Sequence, residues 1–184
     1  MFTVQKLSID GPLIIKANRI KDDRGFFEES FREKDFRDIG LPPFVQENHS
    51  LSRPPVIRGM HYQLNPKAQG KLVFCVSGTI IDAIVDIRRD SATYGKWEKI
   101  VLDSMNAKML YVPPGFAHGF FAHRCDDPNG VHLVYKTTEY YDKALDRAIR
   151  WNDPDIGIDW GTDSAQISEK DRNAPLLKDA ENNF

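Results

Sequence analysis

Cysteine is scarce in this chain of 184 residues: Cys75 and Cys125 are the only two, far apart and without CxxC spacing. That excludes a disulfide-stapled scaffold or a zinc–thiolate site as the source of the fold's stability. No sign of charge dominates either. Lys and Arg number 25 against 27 Asp and Glu, for a formal net charge of −2, so there is no global positive field to gather nucleic acid or an acidic membrane. Any anion must be bound locally. No apolar run approaches the length of a membrane span, and the opening "MFTVQKLSIDG" lacks the basic-then-apolar order of a secretory signal. The expectation is a cytoplasmic protein with no membrane and no nucleic-acid partner. Internal repeats, low-complexity tracts and linkers are missing as well, so residues 1–184 read as a single domain, long enough to bury a real core. A serine nucleophile elbow, a phosphate-cradling glycine loop and a dinucleotide fingerprint are also wanting.

What the chain does have is β-pattern. Short apolar runs bounded by Gly, Pro, Asn or Asp recur through its middle: "PLIIKANRI", "KLVFCV", "TIIDAIVDI", "WEKIVLD", "KMLYVPPGF", "HGFFAH" and "GVHLVYKTT". This spacing predicts an all-β sandwich or barrel, read here as a jelly-roll β-barrel with a few short helices, mainly near the C-terminus. Ser77-Gly78, between two β-prone runs, reads as a tight hairpin turn. In the run that follows, Asp82 and Asp86 share a strand face with Ile80 and Ile84. "REKDFRDIG", with its glycine stop, suits a helical turn or two, and "SAQISEKDRNAPLL" suits a brief helix ending before Pro175.

Ionisable groups gather in "DDRGFFEESF", "VQENHSLSRPPVIRGMHYQ", "PPGFAHGFF" and "LVYKTTEYYD". Each alone is unremarkable, since a single histidine or an Arg-Gly turn has many structural uses. Together they suggest a site: His61 and His118 each enter an apolar run near glycines and can project into one barrel interior, and Lys71 begins another strand, where a lysine is rarely buried without a partner. A metal is the first possibility to weigh. "PPGFAH" has the spacing of a metal-binding motif of cupin-type barrels, but His61-Tyr62-Gln63 stands where His-x-His belongs and no Glu follows at ligand spacing. His61 and His118 alone fall short of the three or four ligands a catalytic metal needs. The expectation is no metal. Acid–base chemistry needs less: His61 as base, Lys71 as the cation where negative charge develops, and a tyrosine of "VYKTTEYYD" as acid. Tyr135 and Tyr141, six apart, would share a face on a continuous strand; the alternative is that both are wall aromatics.

The order of motifs resembles one family over nearly the whole chain, the cupin-fold dTDP-4-dehydrorhamnose 3,5-epimerases. The segments are "DDRGFFEESF", "FVQENHSLS", "VIRGMHYQ", "QGKLVFCVSGTIIDAIVDIRRDSATYGKW", "VPPGFAHGF", "VYKTTEYYD", "WNDPDIGIDW" and "ISEKDRNAPLL". The resemblance implies an isomerase that needs no nicotinamide and no metal, acting on a dTDP-4-keto-6-deoxyhexose and assembled as a homodimer, with "FTVQKL" as an exchanged strand. It implies His61 as general base, Asp171 as the carboxylate orienting it, Lys71 as the enolate-stabilising cation and Tyr135 as proton donor. It further implies Tyr141 stacked on the nucleotide base, and substrate contacts from Arg24, Glu29, Gln46, Asn48, Arg58, His118, Asp146 and Lys170. Asp146 departs from the family, where glutamate is common, and "AHRCDDPNGVHLVYK" suggests an enlarged surface loop. Three functions stay open: inversion at both C3 and C5, inversion at one carbon or on another nucleotide-linked 4-keto sugar, and a non-catalytic nucleotide-sugar binding module.

Overall fold

In the computed structural model, which describes residues 2–125 and 127–184, the short apolar runs become strands. The N-terminal part holds β1 (Thr3–Lys6), β2 (Leu13–Lys16), β3 (Arg19–Asp22), β4 (Gly25–Glu28) and the helix α1 (Glu33–Asp38). The body comprises β5 (Gln46–Ser52), β6 (Val56–Gln63), β7 (Lys71–Ser77), β8 (Thr79–Asp86), β9 (Trp97–Asp103), β10 (Lys108–Val112), β11 (Phe116–Arg124) and β12 (Val131–Thr137). After it come β13 (Asp146–Ala148), β14 (Gln166–Ile167), the helix α2 (Glu169–Arg172) and a single 3-10 turn at Leu177–Asp179. One sheet runs β1-β2-β10-β7-β12-β5, the other β13-β6-β11-β8-β9 with β14 beside β6, and β3–β4 form a separate hairpin. The inner faces meet in a shared core, with Val73, Leu110 and Leu133 from the first sheet and Ile80, Ile84 and Phe120 from the second. This is the all-β jelly roll, and the asparagine loop at Asp127–Asn129 lies on its surface, with Asp126 outside the described residues.

The outer faces are covered unequally. Ile57, Met60, Ala83 and Val85 pack under the C-terminal segment, against Ile149, Ile156, Trp160 and Leu177. β8 is therefore apolar on both faces, and its pattern is a run rather than an alternation. On the first sheet, α1 inserts Phe36 among Phe2, Phe31 and Phe44 over Ile15, Leu72 and Met109. Gly40, at φ +85°, turns the chain out of that helix, and Leu41 N–H closes on Phe36 O at 3.0 Å. The longest helix thus sits near the N-terminus, at the expected "REKDFRDIG", and the other two helical elements, α2 and the 3-10 turn, lie near the C-terminus as expected.

One expectation needs correcting. Ser77-Gly78 joins β7 to β8, but those strands lie in different sheets, so the turn is a corner between layers and not a hairpin. Its glycine is required: φ is +84°, and a Cβ there would come 2.7 Å from Arg124 O. The "FTVQKL" run pairs with β2 of its own chain, Val4 opposite Ile15, at the edge of the first sheet.

Candidate active site

The segment "RGMHYQ" lies within β6, where one distortion sets the directions of its side chains. His118 of β11 pairs with His61, and Phe120 pairs with Arg58, so Gly59 and Met60 together oppose Gly119 in a β-bulge. In a regular strand, residues three apart face opposite ways. The extra residue turns Arg58 and His61 into the same cavity, while Ile57, Met60 and Tyr62 point to the outer core. The bulge needs its glycines: Gly59 has φ +127°, and a Cβ on it would lie 2.5 Å from Gly119 Cα. The other polar residues of the segment have structural work. Gln63 donates to Lys67 O and Tyr140 O and accepts from Asp142 N–H, pinning the loop that follows β12.

The cavity has two lobes that meet at His61, Lys71 and Tyr135. One, of about 170 Å³, is walled by Ser50, Arg58, His118, Phe120 and Leu133. The other, of about 360 Å³, is lined by Gln46, Asn48, Gln69, Tyr141, Asp146 and Lys170. His61 Nε2 lies 2.6 Å from Asp171 Oδ1. Asp171 reaches it because Ser168 caps α2, its Oγ accepting Asp171 N–H at 3.1 Å, and Asp171 Oδ2 takes Gly59 N–H at 3.3 Å. Burial pushes the Asp171 carboxyl up, but the His61 contact and these hydrogen bonds outweigh it and hold the group below the usual carboxylate range. An ionised Asp171 keeps the proton on His61 Nε2 and leaves Nδ1 as the basic nitrogen.

Lys71 stands beside this pair at the start of β7, and among the described residues its ammonium makes one hydrogen bond, a long contact to His61 O at 3.5 Å. Burial pulls its pKa down to about 8, partly offset by Asp146 and Asp82. Asp82, fully buried, faces His118 Nε2 at 2.9 Å. Burial raises its pKa against the opposing pull of His118 and Lys71. Asp86, its partner on the strand face, instead serves the rim, held by Arg88, Ser91 and Thr93. Tyr135 is half-buried across the cavity, and burial raises its pKa. The Arg58 guanidinium is fixed by Ser52 Oγ at 2.8 Å and Leu51 O at 3.0 Å, which leaves its charge open to an anion.

In the polar lobe Gln46 bridges Asn48 and the backbone N–H of Tyr141. Tyr141 is 55% exposed. Its hydroxyl donates to Asp146 Oδ2 at 3.3 Å, and that carboxylate also pairs with Lys170. Tyr135 and Tyr141 share this lobe, but not through strand alternation: β12 ends at Thr137, and Gln46 and Gln63 place Tyr141. Arg24 and Glu29 lie apart from both lobes, at the β3–β4 hairpin and just past it, paired with Asp22 and Arg32. Among the described residues, no three His, Cys, Asp or Glu side chains cluster as metal ligands.

The family model for dTDP-4-dehydrorhamnose 3,5-epimerase matches residues 6–179. The chain belongs to this epimerase family. It is 44% identical over 180 residues to the dTDP-4-dehydrorhamnose 3,5-epimerase of Shigella flexneri, covering 97% of both chains. Among solved structures it is similar to a dTDP-6-deoxy-D-glucose-3,5-epimerase of Legionella pneumophila in complex with dTDP-4-keto-L-rhamnose, with a TM-score of 0.90 and 38% identity over 97% of this chain and 94% of that one. It is also similar to a 3'-monoepimerase of Streptomyces bikiniensis in complex with dTDP-quinovose, at TM-score 0.87 and 32% identity, covering 94% and 86%. Membership in the epimerase family makes this chain an isomerase with a cupin-type fold. Sequence reasoning passed over Ser50, Phe120 and Leu133 in the cavity wall. For Ser50 a signal was present: it follows Gln46 and Asn48 at period two on β5.

Proposed function

We propose that this protein inverts C3 and C5 of dTDP-4-dehydro-6-deoxy-D-glucose to give dTDP-4-dehydro-L-rhamnose, a step of dTDP-L-rhamnose biosynthesis. The observation that carries the reading is the His61–Asp171 contact of 2.6 Å opening on the same cavity as Lys71 and Tyr135. A 4-keto group acidifies the C–H bonds on both neighbouring carbons. His61 Nδ1 removes the proton, and the electron pair moves onto the carbonyl oxygen as an enolate. Lys71 stabilises that charge where it develops. Tyr135, across the ring, returns a proton to the opposite face, and the configuration inverts. Asp171 holds the base's orientation and supports the imidazolium, much as the orienting carboxylate of a catalytic triad does. The same groups serve the second carbon after the ring shifts, so the chemistry calls for no redox cofactor and no metal.

The nucleotide end lies in the polar lobe, with Tyr141 under the base, Gln46, Asn48, Asp146 and Lys170 around it, and Arg58 on the diphosphate. His118 contacts the hexose from the opposite wall. Residues 1–184 act as a single domain in the cytoplasm, as a homodimer. The hairpin supports that assembly: Ile20, Phe26 and Phe27 are 61%, 46% and 70% exposed, a patch that favours a protein partner. A second copy would also give Arg24 and Glu29 a route to a cavity that their own chain keeps from them. Sedimentation at micromolar concentration should return twice the chain mass; a monomer would reject the assembly.

The second reading, inversion at one carbon, is favoured by the likeness to the 3'-monoepimerase. Incubating the protein with dTDP-4-keto-6-deoxyglucose in deuterated water separates the cases. Label at C3 and C5 supports the 3,5-epimerase, label at one carbon supports the monoepimerase, and no label supports a binding module.

A further inference from the structure

Along β5, alternation turns Gln46, Asn48, Ser50 and Ser52 toward the cavity, and three of the four side chains have partners. Gln46 bonds Asn48, and Ser52 accepts from Arg58. Ser50 Oγ is buried and has none. Among the described residues the only other buried side-chain polar atom in that condition is Asp82 Oδ1, whose carboxylate is already engaged by His118. Ser50 stands opposite Leu133 in the β5–β12 register and shares its lobe with Phe120, so its neighbours are largely apolar on that side. A buried hydroxyl left unpaired destabilises the folded state, and nothing in the surrounding packing uses it. Its lobe adjoins His61, Lys71 and Tyr135 on the side away from Tyr141, which is where the hexose ring falls if Tyr141 carries the base.

We infer that Ser50 is a substrate-contacting residue whose hydroxyl hydrogen-bonds a hydroxyl of the hexose and so helps select the sugar. The inference rests on the epimerase reading, which puts a nucleotide-linked hexose in this cavity. It separates recognition along β5 into a nucleotide part, Gln46 and Asn48, and a sugar part, Ser50.

The test compares wild type with Ser50→Ala in three measurements: thermal midpoint, affinity for dTDP and for dTDP-glucose, and kcat/KM with the 4-keto sugar. Because the hydroxyl has no partner in the free protein, the midpoint should hold or rise. Affinity for dTDP should be unchanged, while kcat/KM and the extra affinity conferred by glucose should fall about tenfold or more. A lowered midpoint with unchanged kinetics would overturn the inference, since it would mean that a structural water satisfies Ser50. An equal loss for dTDP and dTDP-glucose would overturn it too, by placing Ser50 against the nucleotide. If wild type exchanges no deuterium with the 4-keto sugar, the epimerase reading fails, and the difference between the two affinities still decides whether Ser50 holds the hexose.

Discussion

Raising the pH should switch off Lys71 before any other group of the proposed mechanism. Burial pulls its pKa from 10.5 to about 8, so the side chain is about nine-tenths charged at pH 7, half at pH 8 and about a tenth at pH 9. If the ammonium stabilises the enolate, kcat/KM should fall along an alkaline limb centred near 8 and drop about tenfold for each further pH unit. Tyr135 cannot produce a limb near 8, because burial raises its pKa above the ordinary tyrosine value of 10.0. Stability should move the other way. The folded value lies below the unfolded one, so between about 8 and 10.5 the unfolded chain binds a proton that the native chain has released. The native state therefore gains on Lys71's account as pH rises through that window, by at most about 3 kcal/mol. The assay is initial-rate kinetics from pH 6 to 10, paired with denaturant melts, on wild type and Lys71→Arg. Arginine stays charged, so Lys71→Arg should be slower at pH 7 but lose the limb near 8. A limb that persists unchanged in Lys71→Arg, or a wild-type limb above 10, would refute the reasoning.

Other perturbations test the supporting geometry. Gly59→Ala should cost about 1–3 kcal/mol or more in denaturant melts, because its φ of +127° and the 2.5 Å approach to Gly119 Cα leave no room for a Cβ; activity should fall with it as Arg58 and His61 lose their common facing. Asp171→Asn should lower kcat/KM by about 10²–10⁴ without abolishing dTDP binding. Since the Asp171 pKa is lowered in the fold, the stability it supplies is present above the unfolded value of 3.8 and lost as pH falls through the lower native one, so the variant should show a flatter acid limb in melts. Tyr141→Ala should weaken dTDP affinity by about 1–3 kcal/mol while Tyr141→Phe largely preserves it, as calorimetry would show; equal losses would assign the effect to the hydroxyl.

How legible all this was in the sequence depends on which face each strand shows to what. β8 announces itself because both of its faces meet apolar neighbours. β5, "QENHSLS", carries no comparable signal, since its inward positions Gln46, Asn48, Ser50 and Ser52 are polar and Glu47 and His49 between them are polar too. Most of the residues that line the cavity were named through the family resemblance, though Arg24 and Glu29 lie outside it and its geometry was not legible. Nothing in "RGMHYQ" marks the bulge that brings Arg58 and His61 to one face, because the pairing with Gly119 that makes it is remote in the chain. Tyr141 owes its place to the side chains of Gln46 and Gln63, not to strand period. The Ser77-Gly78 turn has hairpin composition, yet the partners of its flanking strands, set by distant segments, put them in separate layers. Asp171 is the converse case: a local capping serine aims it, and only the fold supplies His61 as its target.

The central claim is that His61 removes the proton and Tyr135 returns one from the other face. Its most direct test is deuterium incorporation by His61→Ala and Tyr135→Phe with dTDP-4-keto-6-deoxyglucose in deuterated water. His61→Ala should lose both exchange and inversion. Tyr135→Phe should lose inversion while His61 still exchanges deuterium on the original face. Near-normal exchange by His61→Ala would contradict the account and move the base to Asp82 or Asp171.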